Sequence, residues 1–121
     1  VILVVDDEQH IRLIAEKALT RFGYQVRLAS NGAEAVSMYV SHRAEIAAVL
    51  TDMAMPVMDG PALIVALKAI NPAVLIIGSS GLDANGLVAK AVAAGVQSFV
   101  PKPYTAEALL KVLASLFDRA R

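Results

Sequence analysis

Short runs of consecutive apolar residues alternate along the chain with stretches in which apolar residues recur every three or four positions. Continuous runs of four to eight residues are typical of strands buried on both faces of a sheet. The second predicted strand instead alternates apolar with polar residues, which is the other pattern typical of strands. The predicted strands cover residues 1–5, 24–28, 46–51, 74–79 and about 97–100.

The stretches between the strands predict helices, because a spacing of three and four places the apolar side chains on one face. The second helix runs through Ala35 and Val40, the third begins at Pro61, the fourth spans about 85–94, and Thr105 caps the last. In the first helix this spacing predicts that one face contains Ile11, Ile14, Ala15, Ala18, Leu19 and Phe22. Strict alternation of strands and helices requires parallel strands with right-handed crossovers. The predicted fold class is α/β, with a doubly wound parallel sheet.

The composition limits what the domain binds. The 121 residues fit one domain, 1–121, and Lys plus Arg equal Asp plus Glu at 11 each. No net charge therefore draws the domain to nucleic acid or to an anionic membrane surface. Cysteine is absent, and no apolar run approaches the roughly 20 residues of a membrane-spanning helix. We predict a cytoplasmic domain. Because Val1 already lies in a strand pattern, we expect a piece of a longer chain or, alternatively, a chain whose first residues are disordered.

Acidic residues follow two of the predicted strands. Asp52 follows the third strand, and Asp6, Asp7 and Glu8 follow the first. Ligands of parallel α/β sheets bind beyond the carboxyl ends of the strands. Carboxylates gathered there raise one another's pKa unless a cation lies between them, and oxygen ligands suit a small hard ion. The sequence therefore predicts one shared acidic site that binds Mg²⁺.

Four separated features each follow a strand, in the order Asp6-Asp7, Asp52 with the following MPVMDG, Ser80-Gly81 and Lys102-Pro103. Together they resemble the receiver domain of two-component response regulators over essentially the whole chain. The resemblance implies a flavodoxin-like sheet of five parallel strands in the order 2-1-3-4-5, with five helices. It also implies a function in phosphorelay signal transduction.

The resemblance assigns a role to several side chains. Asp52 is the implied phosphoacceptor, whose carboxylate attacks a phosphohistidine. Lys102 and Ser80 are the implied donors to the phosphoryl oxygens, which carry the charge during transfer. Ser80 and Phe99 are the implied switch pair, in which the ring fills space that the hydroxyl vacates. The peptide bond between Lys102 and Pro103 is expected to be cis.

The resemblance also implies a set of Mg²⁺ ligands. Asp7 and Asp52 bind the ion directly, Asp6 binds it through a water, and Ala54 contributes its backbone carbonyl. Ala54 bears on a different class of protein, the Mg²⁺-dependent aspartyl-phosphate hydrolases similar to haloacid dehalogenases. Those enzymes need a second acid two residues after the nucleophile, where this chain has Ala54. A third class is a receiver-like interaction module that is never phosphorylated, although Asp7, Asp52 and Lys102 are all present.

Three longer segments, TDMAMPVMDGPAL, IIGSSGL and FVPKPYTAEALL, indicate the parent protein. They resemble the C-terminal receivers of hybrid sensor histidine kinases more than receivers that precede a DNA-binding domain. The domain would then catalyse only its own phosphotransfer and dephosphorylation, in a parent with kinase activity. The implied partner is a histidine kinase or a histidine phosphotransfer domain, which docks on the first helix near Ile11 and Ile14. A stand-alone or DNA-binding regulator is the alternative, and the oligomeric state is not predicted.

Three residues depart from the simple strand pattern or leave two interpretations open. Gly78 interrupts the fourth strand, which predicts a bend or the close approach of another backbone. Pro101 lacks a ladder donor, which suits an edge strand or a strand end. Tyr104 is predicted either to cover the stem of Lys102 or to lie at the surface.

Overall fold

A computed structural model describes residues 1–81, 86–96, 98–102 and 104–119 of the chain. Strands and helices alternate throughout, as the apolar pattern predicts. The strands are β1 (Ile2–Val5), β2 (Val26–Ala29), β3 (Ala48–Asp52), β4 (Ile76–Ser80) and β5 (Ser98–Pro101). The helices are α1 (Gln9–Arg21), α2 (Gly32–His42), α3 (Gly60–Ile70), α4 (Leu87–Ala93) and α5 (Ala106–Arg119).

The five strands form one parallel sheet in the order β2-β1-β3-β4-β5. The predicted fold class, the strand order and the five helices are therefore confirmed. The most buried strands, β1, β3 and β4, occupy the centre, where both faces are covered. β5 lies at an edge and ends at Pro101, so the missing amide costs no ladder hydrogen bond, as predicted.

Helices cover both faces of the sheet. One buried cluster joins one face to α2, α3 and α4, and a second joins the other face to α1 and α5. Consecutive residues of a strand alternate between these clusters, because successive side chains point to opposite faces. Among the described residues, no helix is long and apolar enough to cross a bilayer.

The inner face of α1 is narrower than its apolar spacing predicts. Ile11, Ala15 and Leu19 are buried, whereas Ile14 and Phe22 are 47% and 59% exposed. Ile14 and Phe22 therefore do not contribute to the core, because only part of the apolar face of α1 meets the sheet. Ile11 is also excluded as a surface contact for a partner, since it is 8% exposed.

The other boundaries differ from prediction by one or two residues. β3 extends one residue to include Asp52, and β4 begins at Ile76 because Asn71 and Val74 form a hydrogen-bonded turn before it. Thr105 caps α5 as predicted, with its Oγ1 accepting from the Ala108 amide at 3.1 Å. The predicted first residues of α4 and β5, Asn85 and Gln97, lie outside the described residues.

Candidate functional site

The two central strands place two carboxylates side by side at the carboxyl edge of the sheet. Val5 pairs with Thr51 in the β1–β3 register, so Asp6 follows beside Asp52. Alternation along the strands puts both acids on the face covered by α1 and α5. Asp6 is 2% exposed and Asp52 is 5% exposed. Two buried carboxylates on adjacent strands require a positive charge close by.

Lys102 supplies that charge. Its backbone amide donates to the Ser80 carbonyl at 2.9 Å, which extends the β4–β5 pairing past Pro101. Its Nζ lies 2.9 Å from Asp6 Oδ2 and 3.2 Å from Asp52 Oδ2. The side chain is 13% exposed, so solvent screens these ion pairs weakly. The predicted convergence of the acids on Lys102 is observed for Asp6 and Asp52.

The pKa values follow from this geometry. Burial raises the pKa of the Asp52 carboxyl, the charge of Asp6 raises it further, and Lys102 and the Ala54 amide oppose the rise. Burial alone would lower the pKa of Lys102, but its hydrogen bond to Asp6 and the charge of Asp52 outweigh burial and raise it. Lys102 therefore stays protonated at neutral pH and holds the two carboxylates together.

A second acidic group adjoins this pair. Carboxylate oxygens of Asp6, Asp7 and Glu8 lie within 4.8 Å of one another, and Asp7 and Glu8 are exposed. The Glu8 amide donates to Asp6 Oδ1 at 2.9 Å, which fixes the turn into α1. Asp52 is not a member of this group and is joined to it through Lys102. Glu8 is thus a candidate metal ligand that the sequence-based ligand set omits.

Ala54 and Arg12 provide further polar contacts at the site. The Ala54 amide donates to Asp52 Oδ1 at 3.4 Å. Arg12 Nη1 donates to the Asp6 carbonyl at 2.6 Å and brings a second cation to the acidic edge. Sequence reasoning did not identify Arg12, because a single cation on the first turn of a predicted helix is an ordinary surface feature.

The loop after Asp52 is fixed at both ends. The Met53 amide donates to the Ser79 carbonyl at 3.0 Å, and the Gly60 amide donates to the Met53 carbonyl at 2.9 Å. A Cβ at Gly60 would lie 2.7 Å from the Asp52 carbonyl oxygen, so only glycine fits at the start of α3. Asp59 then caps α3 by accepting from the Ala62 amide at 3.0 Å.

Within the described residues, no hydrogen bond joins the Ser80 hydroxyl to Asp6 or Asp52, and the Phe99 ring packs on the opposite face of the sheet. The Ser80 hydroxyl is half-buried and donates to the Gly81 carbonyl at 3.2 Å. The Phe99 ring packs over Gly78, where a Cβ would lie 2.7 Å from the ring atoms Cδ1 and Cε1. The close approach predicted at Gly78 is therefore present, but the neighbour is this ring and not another backbone.

Tyr104 resolves one of the open interpretations. It is 8% exposed and packs in the cluster between the sheet, α1 and α5, so the prediction of a surface ring is wrong. Burial raises the pKa of its hydroxyl, and the charges of Asp6 and Asp52 raise it further. Tyr104 is thus a neutral wall of the acidic site. Pro103, and with it the predicted cis peptide bond, lies outside the described residues.

Comparison with known proteins agrees with this fold. The family model described as "Response regulator receiver domain" matches residues 2–114. The chain is 34% identical to chemotaxis protein CheY of Bacillus subtilis over 113 residues, which cover 93% of this chain and 92% of that protein. It is 30% identical to sensor kinase CckA of Brucella abortus over 118 residues, which cover 98% of this chain and 12% of the kinase.

A solved structure is similar over nearly the whole fold. It is the CheX–CheY–BeF3–Mg complex from Borrelia burgdorferi, with a TM-score of 0.88 and 28% identity over 96% of this chain and 87% of that one. The family match and the sheet order agree with each other. The chain therefore belongs to the response regulator receiver domains, the signal-transduction modules of two-component systems.

Proposed function

We propose that this domain accepts a phosphoryl group on Asp52 from a phosphohistidine and thereby changes its surface for a partner. The observation that carries the proposal is the contact of one ammonium group with two buried carboxylates. Asp52 is the one of this pair at the centre of the sheet, with β1 on one side and β4 on the other. Asp6 holds Lys102 in place from the neighbouring strand, so the cation is oriented before the phosphoryl group arrives.

The proposed transfer is an in-line displacement. A carboxylate oxygen of Asp52 forms a bond to phosphorus while the bond from phosphorus to the donor imidazole nitrogen breaks, and that nitrogen keeps the electron pair. Lys102 donates to Asp52 Oδ2 and is positioned to donate to phosphoryl oxygens as charge develops on them. Ser80 becomes a second donor when its hydroxyl leaves the Gly81 carbonyl.

The residues present fit a Mg²⁺ ion. Oxygens of Asp6, Asp7 and Glu8 form a compact acidic group, and hard divalent cations prefer oxygen ligands. In the proposal Asp7 and Asp52 would bind the ion directly, Asp6 through a water, and Ala54 through its carbonyl. When bound, the ion supplies positive charge that neutralises the phosphoryl oxygens. Glu8 lies close enough to this group to be a further ligand.

The proposed switch joins Ser80 to Phe99 across the pairing of β4 and β5. Gly78 pairs with Phe99 and Ser80 with Pro101, so a movement of the β4 end reaches the edge strand directly. Before phosphorylation the Phe99 ring lies on Gly78 and packs against the buried cluster that includes α4. We therefore expect phosphorylation to alter the surface formed by α4, β5 and α5.

The proposed partner is a histidine kinase or a histidine phosphotransfer domain. Ile14, which is 47% exposed, remains a proposed docking contact on α1, which begins beside Asp7 and Glu8, and Leu13, which is 41% exposed, takes the place of Ile11. We also propose that the domain is one unit of a longer hybrid sensor kinase. The similarity to CckA over 98% of this chain supports that origin. The similarity to CheY over nearly its full length favours a stand-alone regulator as the second candidate.

The direct test is phosphorylation by a small phosphodonor, acetyl phosphate, with Mg²⁺. Mass spectrometry should find one added phosphoryl group on the wild type and none on Asp52→Asn. The matched control is Asp59→Asn, which changes an acid of the same loop and keeps a good helix cap. This control should be phosphorylated like the wild type. No adduct on the wild type would favour a module that is never phosphorylated.

A further inference from the structure

Ser79 carries a buried hydroxyl that the structure leaves without a partner. The residue is 1% exposed, and its Oγ has no hydrogen bond to any described residue. A buried hydroxyl without a partner destabilises the folded state, because it loses its hydrogen bonds to water. Its neighbours on the same face, Ile77 and Val100, are apolar and buried. Ser79 is therefore a polar residue where the packing of this structure alone would favour an apolar one.

The position of Ser79 indicates what the hydroxyl serves. Ser79 pairs with Asp52 in the β3–β4 register, so it continues the row that contains Asp6 and Asp52 on the same face. Neighbouring strands lie about 4.8 Å apart, which places the Ser79 side chain beside the Asp52 carboxylate. Lys102 follows the edge strand beyond β4, so its side chain crosses the end of β4 to reach Asp52.

The acceptors around Asp52 are already used in the unphosphorylated state. Asp52 Oδ2 accepts from Lys102, and Oδ1 accepts from the Ala54 amide. A phosphoryl group on Asp52 would add three strong acceptor oxygens at this place. Lys102 and Ser80 are the donors already assigned to them, and Mg²⁺ adds positive charge. Each phosphoryl oxygen can accept more than one hydrogen bond, so a third donor can be accommodated.

We propose that the Ser79 hydroxyl donates a hydrogen bond to the aspartyl phosphate formed on Asp52. The inference rests on the proposed function and adds a phosphoryl-binding hydroxyl to it. It explains why the hydroxyl lacks a partner before phosphorylation, since the acceptor arrives with the phosphoryl group. Ser79 should thus destabilise the free domain and stabilise the phosphorylated one.

The test measures both states of the same variants. Urea unfolding is followed for the wild type, Ser79→Ala and Ser79→Thr, each alone and titrated with beryllofluoride and Mg²⁺ as the phosphoryl analogue. Without the analogue, Ser79→Ala should unfold at higher urea than the wild type. Its affinity for the analogue should fall by about tenfold or more, the usual effect of losing a hydrogen bond to a charged group. Ser79→Thr keeps the hydroxyl and should retain the affinity.

A matched control is Thr51→Val. Thr51 is also buried and adjoins Asp52, but its side chain lies on the opposite face and its Oγ1 already donates to the Asp52 carbonyl at 3.1 Å. This variant should lower the stability of the free domain and leave the affinity unchanged. Equal affinities of Ser79→Ala and the wild type would overturn the inference while the proposed function stands. If the wild type gains no stability from the analogue, the proposed function fails and the role of Ser79 fails with it.

Discussion

The two faces of the sheet differ at the edge where Asp52 lies. On the face covered by α1 and α5, the strands end in polar groups, and ion pairs hold the charged ones together. On the face covered by α2, α3 and α4, they end in close steric contacts. The first group is Asp6, Asp52, Ser79 and Lys102. The second is Met53, Gly60, Gly78 and Phe99.

Consecutive residues connect these two groups. Asp52 points to the charged face, and Met53, which is 1% exposed, points to the packed face. The Met53 ε-methyl lies between Gly60 and Gly78, since a Cβ at either position would approach it to 2.6 or 3.3 Å. A shift of the backbone at Asp52, caused by a change of its charge, would therefore move Met53 against neighbours that leave it no free space. The comparison predicts that substitutions of the charged residues change the free energy of unfolding in a pH-dependent way. Substitutions that create steric clashes should change it equally at every pH.

The largest effect is expected from Lys102→Met. The variant keeps the stem but leaves Asp6 and Asp52 facing each other, so the free energy of unfolding should fall by about 3 kcal/mol at neutral pH. The pKa of Lys102 is raised from 10.5, so its contribution is complete below pH 10.5 and is lost as the pH rises through the folded-state value. Urea unfolding across pH would show the two proteins converging at high pH.

Lys111→Met is the control for that variant. Lys111 is exposed and pairs with Glu107 across one turn of α5 at 3.9 Å, so its removal should change the stability by less than about 0.5 kcal/mol. Equal effects of the two substitutions would contradict the view that the charged face is stabilised by Lys102.

The packed face is tested by Gly60→Ala. A Cβ there would lie 2.7 Å from both the Asp52 carbonyl oxygen and Met53 Cα, so backbone must move and the free energy of unfolding should fall by about 2 kcal/mol. The loss should be independent of pH. Gly81→Ala is the control, because a Cβ at Gly81 meets no described residue within 4 Å. If urea unfolding gives Gly60→Ala the same free energy of unfolding as the wild type, this face has room to adjust.

Asp52→Asn should raise the free energy of unfolding, whereas Lys102→Met and Gly60→Ala should lower it. The pKa of Asp52 in the folded domain is raised above 3.8, its value in the unfolded chain. Between the two pKa values the folded domain binds more protons than the unfolded chain, so it loses stability as the pH rises from 3.8 through the folded-state pKa. The neutral amide avoids that loss and should raise the free energy of unfolding by about 1 kcal/mol at neutral pH, the ordinary size of a single-residue effect. The gain should vanish below pH 3.8. A gain that persists there would point to packing and not to charge.

Sequence reasoning predicted the charged face better than the packed one. Asp52 ends a strand, and Asp6 and Lys102 directly follow one. Because the carboxyl ends of parallel strands share one edge, their convergence follows from local pattern and topology. The strand order itself came from the family resemblance, because apolar periodicity does not specify which strands are neighbours.

The packed face depends on contacts between distant parts of the chain. The fit of Phe99 on Gly78 follows from the β4–β5 register, which no local pattern specifies. The burial of Tyr104 and the exposure of Ile14 depend in the same way on which side of each helix meets the sheet. Ser79 was missed for a related reason, since only the register places its hydroxyl beside Asp52.

The smallest expected effect concerns the loop that leaves the packed face. Val57 is fully exposed with φ at 66°, and the Met58 amide donates across it to the Pro56 carbonyl at 2.8 Å. This left-handed conformation costs a β-branched residue about 1–2 kcal/mol, whereas glycine adopts it freely. Replacing Val57 by glycine removes this strain, but the greater conformational freedom of glycine in the unfolded chain cancels about 0.4–1 kcal/mol of the gain. Val57→Gly should therefore raise the free energy of unfolding by about 0.5 kcal/mol.

The same substitution in a helix should have the opposite sign. Val65 is 60% exposed in α3, where its backbone is helical, so Val65→Gly should lower the free energy of unfolding by about 0.5 kcal/mol. Chemical unfolding of the two variants beside the wild type gives the comparison. If both lose stability, the loop between Asp52 and α3 stores no strain, and its shape follows from the fixed ends at Met53 and Gly60 alone. Opposite signs would show that the loop holds Val57 against its own preference, as a segment clamped beside the phosphoacceptor should.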